Sequence, residues 1–300
     1  MTKRALFIVP ASSDATQVAY AYLNNVWDAA CYTFDIGSSP VDEAILVAAR
    51  AASPDVIFYM GGESGPGLPS VTTLCALREI APSVHLGGDF ADPPWLPRLE
   101  EYRREGCFSL TVSIDGVPGD HVDYATLTPV DISAFDVPDV ERDIWCAFAG
   151  NHVDRARHDH ILKEHGTFDV RSKLLHEIGD RLTLRQRDVT GNYADYVSFL
   201  KRCSIMFNTA WTGSGTATHC KGRILEAAFA GCALLEMKSS PTTNWFPQDA
   251  FFRFSDADDA LTAIEKLSPT EAAERAALLS YHARKHYHPK VIYGNILERF

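Results

Sequence analysis

Residues 193–208 and 221–237 read YADYVSFLKRCSIMFN and KGRILEAAFAGCALLEM. The first passes from a helical pattern (193–203) into a short apolar strand, SIMFN (204–208). The second repeats the order. GRILEAAFA reads as a helix stopped by Gly231, and CALLEM (232–237) follows as a continuous apolar run. A strand that is apolar on both faces belongs inside a parallel sheet with helices on either side. Within the second helix, Arg223 and Glu226 stand at i, i+3 and share a face. Ile224, Leu225, Ala227, Ala228 and Phe229 leave little polar surface around them, so this helix is expected to be buried on most sides.

Two readings of that charged pair stand side by side. One is an ion pair on a narrow exposed strip, worth a few tenths of a kcal/mol. In the other, the N-terminal turn faces a ligand. The helix dipole, Lys221 and Arg223 would then attract phosphate, and Glu226 would accept hydrogen bonds from sugar hydroxyls. A nucleoside diphosphate fits that pattern.

The same βα rhythm extends outward in both directions. Upstream strand candidates are 5–10, 30–36, 55–60, 83–88, 108–114 and 123–130, with helical patterns between the first five. The polar, proline-bearing DVPDVERD (136–143) reads as a linker. The pattern restarts with a strand at 144–150, a helix at 154–165 and a strand, FDVRSK, at 168–173. It closes with strand FFRF (251–254) and helices over 256–267 and 270–286. This is an α/β chain of two Rossmann-like domains, 1–140 and 141–300, with the last helix expected to pack back on the first.

Composition narrows the function classes. A hydrophobic share of 46% and a charged share of 22% are those of a soluble globular protein. A net charge of −11 argues against a nucleic-acid partner, whose phosphates demand a basic surface. The N-terminal apolar run is too short for a signal peptide or a membrane span. Seven cysteines without a CxxC pair suggest neither a zinc ribbon nor a disulfide framework, so a reduced, cytoplasmic protein is expected.

In doubly wound sheets, ligands bind beyond the carboxyl ends of the strands. Four glycine-bearing loops occupy that position: 61–67, 87–95, 150–155 and 208–223. In GGDFADPPW (87–95), Asp92 before two prolines reads as a helix N-cap. Asp89 is spared from that duty; it either points toward a ligand or stabilises its own loop as an Asx-turn. Glu63 and Ser64 in GGESGPG are weaker candidates for touching an acceptor. The Asp-x-Asp of SDADD (255–259) directly precedes ALTAIEKL, so helix capping explains its acids better than a metal does. The histidines of HVDRARHDH (152–160) and HARKHYHPK (282–290) lack metal-ligand geometry and read as solvated helix faces.

Three segments, YADYVSFLKRCSIMFN, KGRILEAAFAGCALLEMKSSPTTNWF and FRFSDADDALTAIEKL, together resemble the donor-binding domain of GT-B glycosyltransferases. The likeness is to the spore-maturation-protein-like branch of glycosyl transferase family 1. It covers 190–290, while FAGNHVDRARHDHIL (148–162) resembles that domain's opening strand, turn and helix. LTPVDISAF (127–135) resembles the approach to the interdomain linker; the first 120 residues share only the βα rhythm. The resemblance implies two Rossmann-like domains facing a central cleft. It also implies sugar transfer from a nucleoside-diphosphate sugar to an acceptor that the sequence does not name. Glu226 would bind the ribose, Lys221 and Arg223 would lie near the diphosphate, and Gly150, Asn151 and Arg155 would form a second wall. Asn208 would close the strand end beneath. Many retaining members carry a second Glu eight residues before the ribose-binding one; here that position is Thr218, which leaves the stereochemical course open.

The expected protein is therefore a metal-independent glycosyltransferase without a cofactor, with Asp89 as the candidate catalytic base. The alternatives are a sugar-nucleotide epimerase and a non-catalytic sugar- or nucleotide-binding protein of the same fold.

Overall fold

The computed structural model describes residues 3–39, 41–61, 65–90, 92–138, 140–150, 170–185, 192–212 and 214–300. They form two compact units, one of Met1–Asp136 with His286–Phe300 and one of Val137–Lys285.

The first unit alternates β1 (Ala5–Pro10), α1 (Ser13–Asn25), β2 (Ala29–Phe34), α2 (Asp42–Ala52), β3 (Val56–Tyr59), α3 (Val71–Ile80), β4 (Ser83–Gly87), α4 (Leu96–Arg104), β5 (Leu110–Ser113) and β6 (Tyr124–Ala125). Its sheet is parallel throughout, in the order β2-β1-β3-β4-β5-β6. The apolar runs of β1, β3 and β4 are buried at nearly every position, as expected of strands covered on both faces. The strand expected over 123–130 shrinks to two residues, Tyr124–Ala125, parallel to β5. Beyond the strand the pairing changes: Gly116 (φ 73°) donates its N–H to Thr126 O at 2.8 Å, and Asp115 meets Leu127 in an isolated antiparallel bridge.

The second unit runs β7 (Ile144–Ala149), α5 (Val170–Ile178), β8 (Thr183–Arg185), α6 (Tyr193–Arg202), β9 (Cys203–Asn208), α7 (Arg223–Ala230), β10 (Ala233–Met237), β11 (Phe252–Phe254), α8 (Ala257–Lys266) and α9 (Pro269–His286). The parallel order is β11-β10-β9-β7-β8. The expected strand at 168–173 is corrected here: its end belongs to α5, where Leu174, Leu175 and Ile178 bury one helical face. The strand comes later, at β8, after Gly179 (φ 61°) ends the helical stretch. The helix expected over 154–165 lies outside the described residues. Gly231 stops α7 in the left-handed region at φ 72°, where Cys232 N donates to Ala227 O at 2.9 Å. Arg142 donates to Ala230 O at 2.8 Å, which places a cation on the negative end of that helix.

The last helix, α10 (Pro289–Leu297), belongs to the first unit. His288 caps it, accepting from Lys290 N at 3.1 Å, so one histidine of the 282–290 cluster has a structural task. Tyr293 drives the docking. Its ring lies 5.0–6.0 Å from those of Tyr22, Phe58 and Phe7, and its hydroxyl donates to Val18 O at 2.6 Å. In both sheets the first strand is flanked by the second on one side and the third on the other. The chain therefore departs in opposite directions from the ends of neighbouring strands, and this is where doubly wound sheets open a crevice.

Tyr293→Ala is expected to destabilise the first unit by about 3–5 kcal/mol through the cavity it leaves. Tyr293→Phe, which loses only the hydroxyl bond, is expected to cost about 1 kcal/mol. Urea unfolding of both variants checks this, and equal losses would contradict the packing role of the ring.

Candidate functional site at the strand ends of the second unit

β7 and β9 are the neighbours that flank the switch point of the second sheet, and they end at Ala149 and Asn208. The head of α7 arrives beside them. Its first turn is tight, with Ile224 N bonded to Lys221 O at 3.0 Å and Leu225 N to Gly222 O at 3.1 Å. That turn delivers Arg223 onto the strand ends. Its guanidinium donates to Asn208 Oδ1 at 3.1 Å and lies 4.5 Å from the Phe148 ring centre. A guanidinium over an aromatic face away from water gains about 2 kcal/mol. Gly150 leaves room for this arrangement, because a Cβ there would fall 2.3 Å from Arg223 Nη2 and push the guanidinium aside. Arg223 is only 5% exposed, which is unusual for an arginine.

Asn208 passes the connection inward. Its Nδ2 donates to Glu236 Oε2 at 2.6 Å, with the two residues directly opposite in the β9–β10 register. Glu236 is wholly buried. It also accepts from Met237 N at 3.0 Å and from Thr242 Oγ1 at 3.3 Å, and Thr242 meets Ser240 at 2.7 Å. Burial pushes the Glu236 carboxyl up to about 7, against the pull of these hydrogen bonds and of Arg223. A continuous polar chain thus runs from Ser240 through Thr242, Glu236 and Asn208 to Arg223 in an otherwise apolar interior.

Glu226, one turn further along α7, is also buried. Its two oxygens accept from Tyr193 OH at 3.2 Å and Tyr196 OH at 2.8 Å, both on α6. Hydrogen bonds to a charged group are worth about 1.5–3 kcal/mol, so these phenols fix the carboxylate's position. Lys221 is half-buried in the approach to α7. The loop before it folds as a hairpin, with Thr212 N bonded to Ala217 O and His219 N to Ala210 O, both at 2.9 Å. Thr218 Oγ1 donates to Ser239 O at 3.1 Å.

The structure therefore brings Gly150, Asn208 and Arg223 into contact and sets Lys221 and Glu226 on the adjoining turns. Asn151, Arg155, Glu63 and Ser64 lie outside the described residues. Asp89 lies in the first unit just past β4, in the left-handed region at φ 62°, and its carbonyl accepts from Asp92 N at 2.7 Å. Asp92 opens the 3-10 turn Pro93–Trp95, but its side chain makes no cap bond. The two prolines have no N–H to give, and Trp95 N is taken by Asp92's own carbonyl. Two acids of 255–259, Asp256 and Asp259, are engaged in the helix start. Asp256 accepts from Asp259 N at 2.9 Å, and Asp259 from Ser255 N and Lys238 Nζ, each at 2.9 Å. Sequence reading missed Glu236, Tyr193 and Tyr196 as site residues. A carboxylate inside the apolar run CALLEM, and two tyrosines at i, i+3, were the available signals.

No family model and no curated protein matches the sequence. Solved structures do match in fold. Anabaena Alr3699/HepE in complex with UDP-glucose has a TM-score of 0.60 at 12% identity, covering 99% of this chain and 98% of that one. An alpha-glucosyltransferase in complex with UDP and a 13-mer DNA containing a HMU base gives 0.62 at 9% identity, with 100% and 99% covered. A glycosyltransferase from Rickettsia africae ESF-5 gives 0.57 at 10%, with 99% and 97% covered. Over its whole length this chain has the two-sheet fold of these glycosyltransferases. Among the described residues, no helix is long and apolar enough to cross a membrane.

Glu236 holds its proton more tightly in the folded state than in the unfolded chain, where glutamate has its ordinary value of 4.5. The stability this contributes is full below that value and is lost as pH rises through about 7. Urea unfolding of the second unit is expected to show declining stability between about pH 5 and 8, and Glu236→Gln is expected to flatten the decline. Parallel pH profiles for the two proteins would contradict the assignment.

Proposed function

We propose that this chain is a glycosyltransferase that moves a sugar from a nucleoside-diphosphate sugar to an acceptor hydroxyl. The observation that carries the reading is the buried Arg223, set at the head of α7 against Gly150 and Asn208, with Glu226 one turn on. The fold likeness to UDP- and UDP-glucose-bound glycosyltransferases supports it. The spore-maturation-protein-like branch is the finer family assignment that the motifs favour.

In this mechanism the second unit binds the donor. Arg223, Lys221 and the dipole of α7 neutralise the diphosphate, with Arg155 and Asn151 assigned to the second wall. Stabilising the leaving diphosphate in this way lowers the barrier to breaking the anomeric C–O bond. Glu226, held by Tyr193 and Tyr196, accepts the ribose hydroxyls on its remaining lone pairs. Glu236 touches no ligand in this scheme and holds Arg223 in place through Asn208. The first unit takes the acceptor, with Glu63 and Ser64 near it. Asp89 removes the hydroxyl proton as the oxygen attacks the anomeric carbon.

The diphosphate needs no divalent metal in this reading, because cations and helix dipole supply the charge and Asp256 of the Asp-x-Asp caps α8. A net charge of −11 favours an acceptor other than nucleic acid, although one neighbour holds DNA. Seven free cysteines suit the reducing cytoplasm.

UDP is the nucleotide to test first. In calorimetric titration with a chelator present, the wild-type protein is expected to bind it. Arg223→Ala and Glu226→Ala are expected to weaken binding by about 10- to 100-fold each. Unchanged affinity in both variants, or binding that appears only with magnesium or manganese, would overturn the scheme.

Asp89→Asn keeps the shape of the side chain and removes its basicity. The kcat is expected to fall by about two to four orders of magnitude while UDP affinity stays at the wild-type value. A near-normal kcat would remove Asp89 from the chemistry.

A further inference from the structure

Two cysteines meet in the first unit. Cys75 lies on α3 and Cys107 between α4 and β5, 32 positions apart in sequence, and their sulfurs are 3.0 Å from each other. A disulfide holds its sulfurs about 2.0 Å apart, so bond formation requires an approach of only about 1 Å.

The backbone holds both partners in place. Past the end of α4, Gly106 takes the left-handed region at φ 63°, and Cys107 N donates to Tyr102 O at 3.0 Å. That closing bond fixes the residue that follows the helix. Two side chains then tie the same segment to its neighbours. Ser83, at the start of β4, donates its hydroxyl to Cys107 O at 3.2 Å, and Arg78 of α3 donates to Gly106 O at 2.8 Å. Arg78 stands at i+3 from Cys75, so one face of α3 supplies both the clamp and the sulfur. The thiols themselves are held only weakly. Cys75 donates to Glu105 O at 3.6 Å and Cys107 to Val71 O at 3.8 Å, so little is lost when their protons leave.

The two thiols differ in access. Cys107 is wholly buried, and burial, with Cys75 beside it, raises its thiol above the usual range. Cys75 keeps part of its surface exposed, so an oxidant from solvent meets it first. The oxidant class is a small disulfide, such as oxidised glutathione. The Cys75 thiolate attacks one glutathione sulfur, the glutathione S–S bond breaks, and one glutathione leaves and takes up a proton. Cys107 then gives up its proton and attacks the Cys75 sulfur, releasing the second glutathione as a thiol. Two protein thiols and one glutathione disulfide thus become one protein disulfide and two glutathione thiols, and excess thiol runs the steps backward.

We propose that Cys75 and Cys107 form a reversible redox clamp: oxidation ties α3 to the end of α4 and closes a covalent loop around β4 and the turn of Asp89. Such a cross-link restricts both the unfolded chain and local opening of the enclosed segment. Both cysteines lie in the first unit, so the proposal stands independently of the donor site in the second.

The folded full chain is incubated in glutathione buffers of graded ratio, then alkylated and mapped by mass without reduction. A Cys75–Cys107 peptide pair is expected in oxidising buffers and is expected to vanish in reducing ones. Cross-linking is expected to raise the urea midpoint of the first unit by about 1 M and to slow amide exchange over 83–104. In Cys107→Ala the mixed disulfide with glutathione is expected to persist on Cys75, and Cys75→Ser is expected to leave Cys107 unmodified. The wild-type readouts need neither variant. Failure of the pair to form at the most oxidising ratio, or its formation only after unfolding in urea, would overturn the proposal. So would a cross-linked protein with the midpoint and exchange of the reduced one.

Discussion

The second unit depends on one buried connection, from Arg223 through Asn208 to Glu236. Three polar side chains, each 5% exposed or less, sit where α7, β9 and β10 converge. An unpaired guanidinium or carboxylate at that depth would cost several kcal/mol, so each member is stable only because the others are present. The chain sets the surroundings as well. The guanidinium fills the space that a Cβ at Gly150 would take and lies over the ring of Phe148. It also fixes where the head of α7 ends up: at the point where β7 and β9 part company.

That placement is the link from packing to chemistry. A helix N-terminus, a buried cation and a carboxylate held by two phenols are ordinary features taken singly. They meet at a topological switch point, with the chain leaving the two strand ends in opposite directions, and the proposed function has them receive an anion with a hydroxylated neighbour. Burial raises the affinity of Glu236 for its proton against the pull of Asn208, Met237 N, Thr242 and Arg223, which ties the stability of this connection to pH.

Much of this was legible in the sequence, for physical reasons. Strands buried on both faces cannot hide their composition, and ALFIVP, SIMFN and CALLEM became β1, β9 and β10 within a residue of their expected bounds. Arg223 and Glu226 were conspicuous because charges are rare in apolar helices. FDVRSK misled because a short alternating run precedes the helical face of Leu174, Leu175 and Ile178, and local pattern does not rank the two. DYATLTPV was cut short after Ala125, where parallel pairing with β5 gives way to a single antiparallel bridge between Asp115 and Leu127, a tertiary event without a local signature. Glu236 was passed over because a single carboxylate in a strand looks like an exposed residue until the opposite strand is seen to carry Asn208.

Amide exchange of the whole chain with and without saturating UDP tests the central claim most directly. Slowed exchange is expected at the head of α7, in the loop joining β9 to α7 and at the start of α6, with β1 to β4 unaffected. Protection confined to the first unit, or none at saturation, would contradict the account.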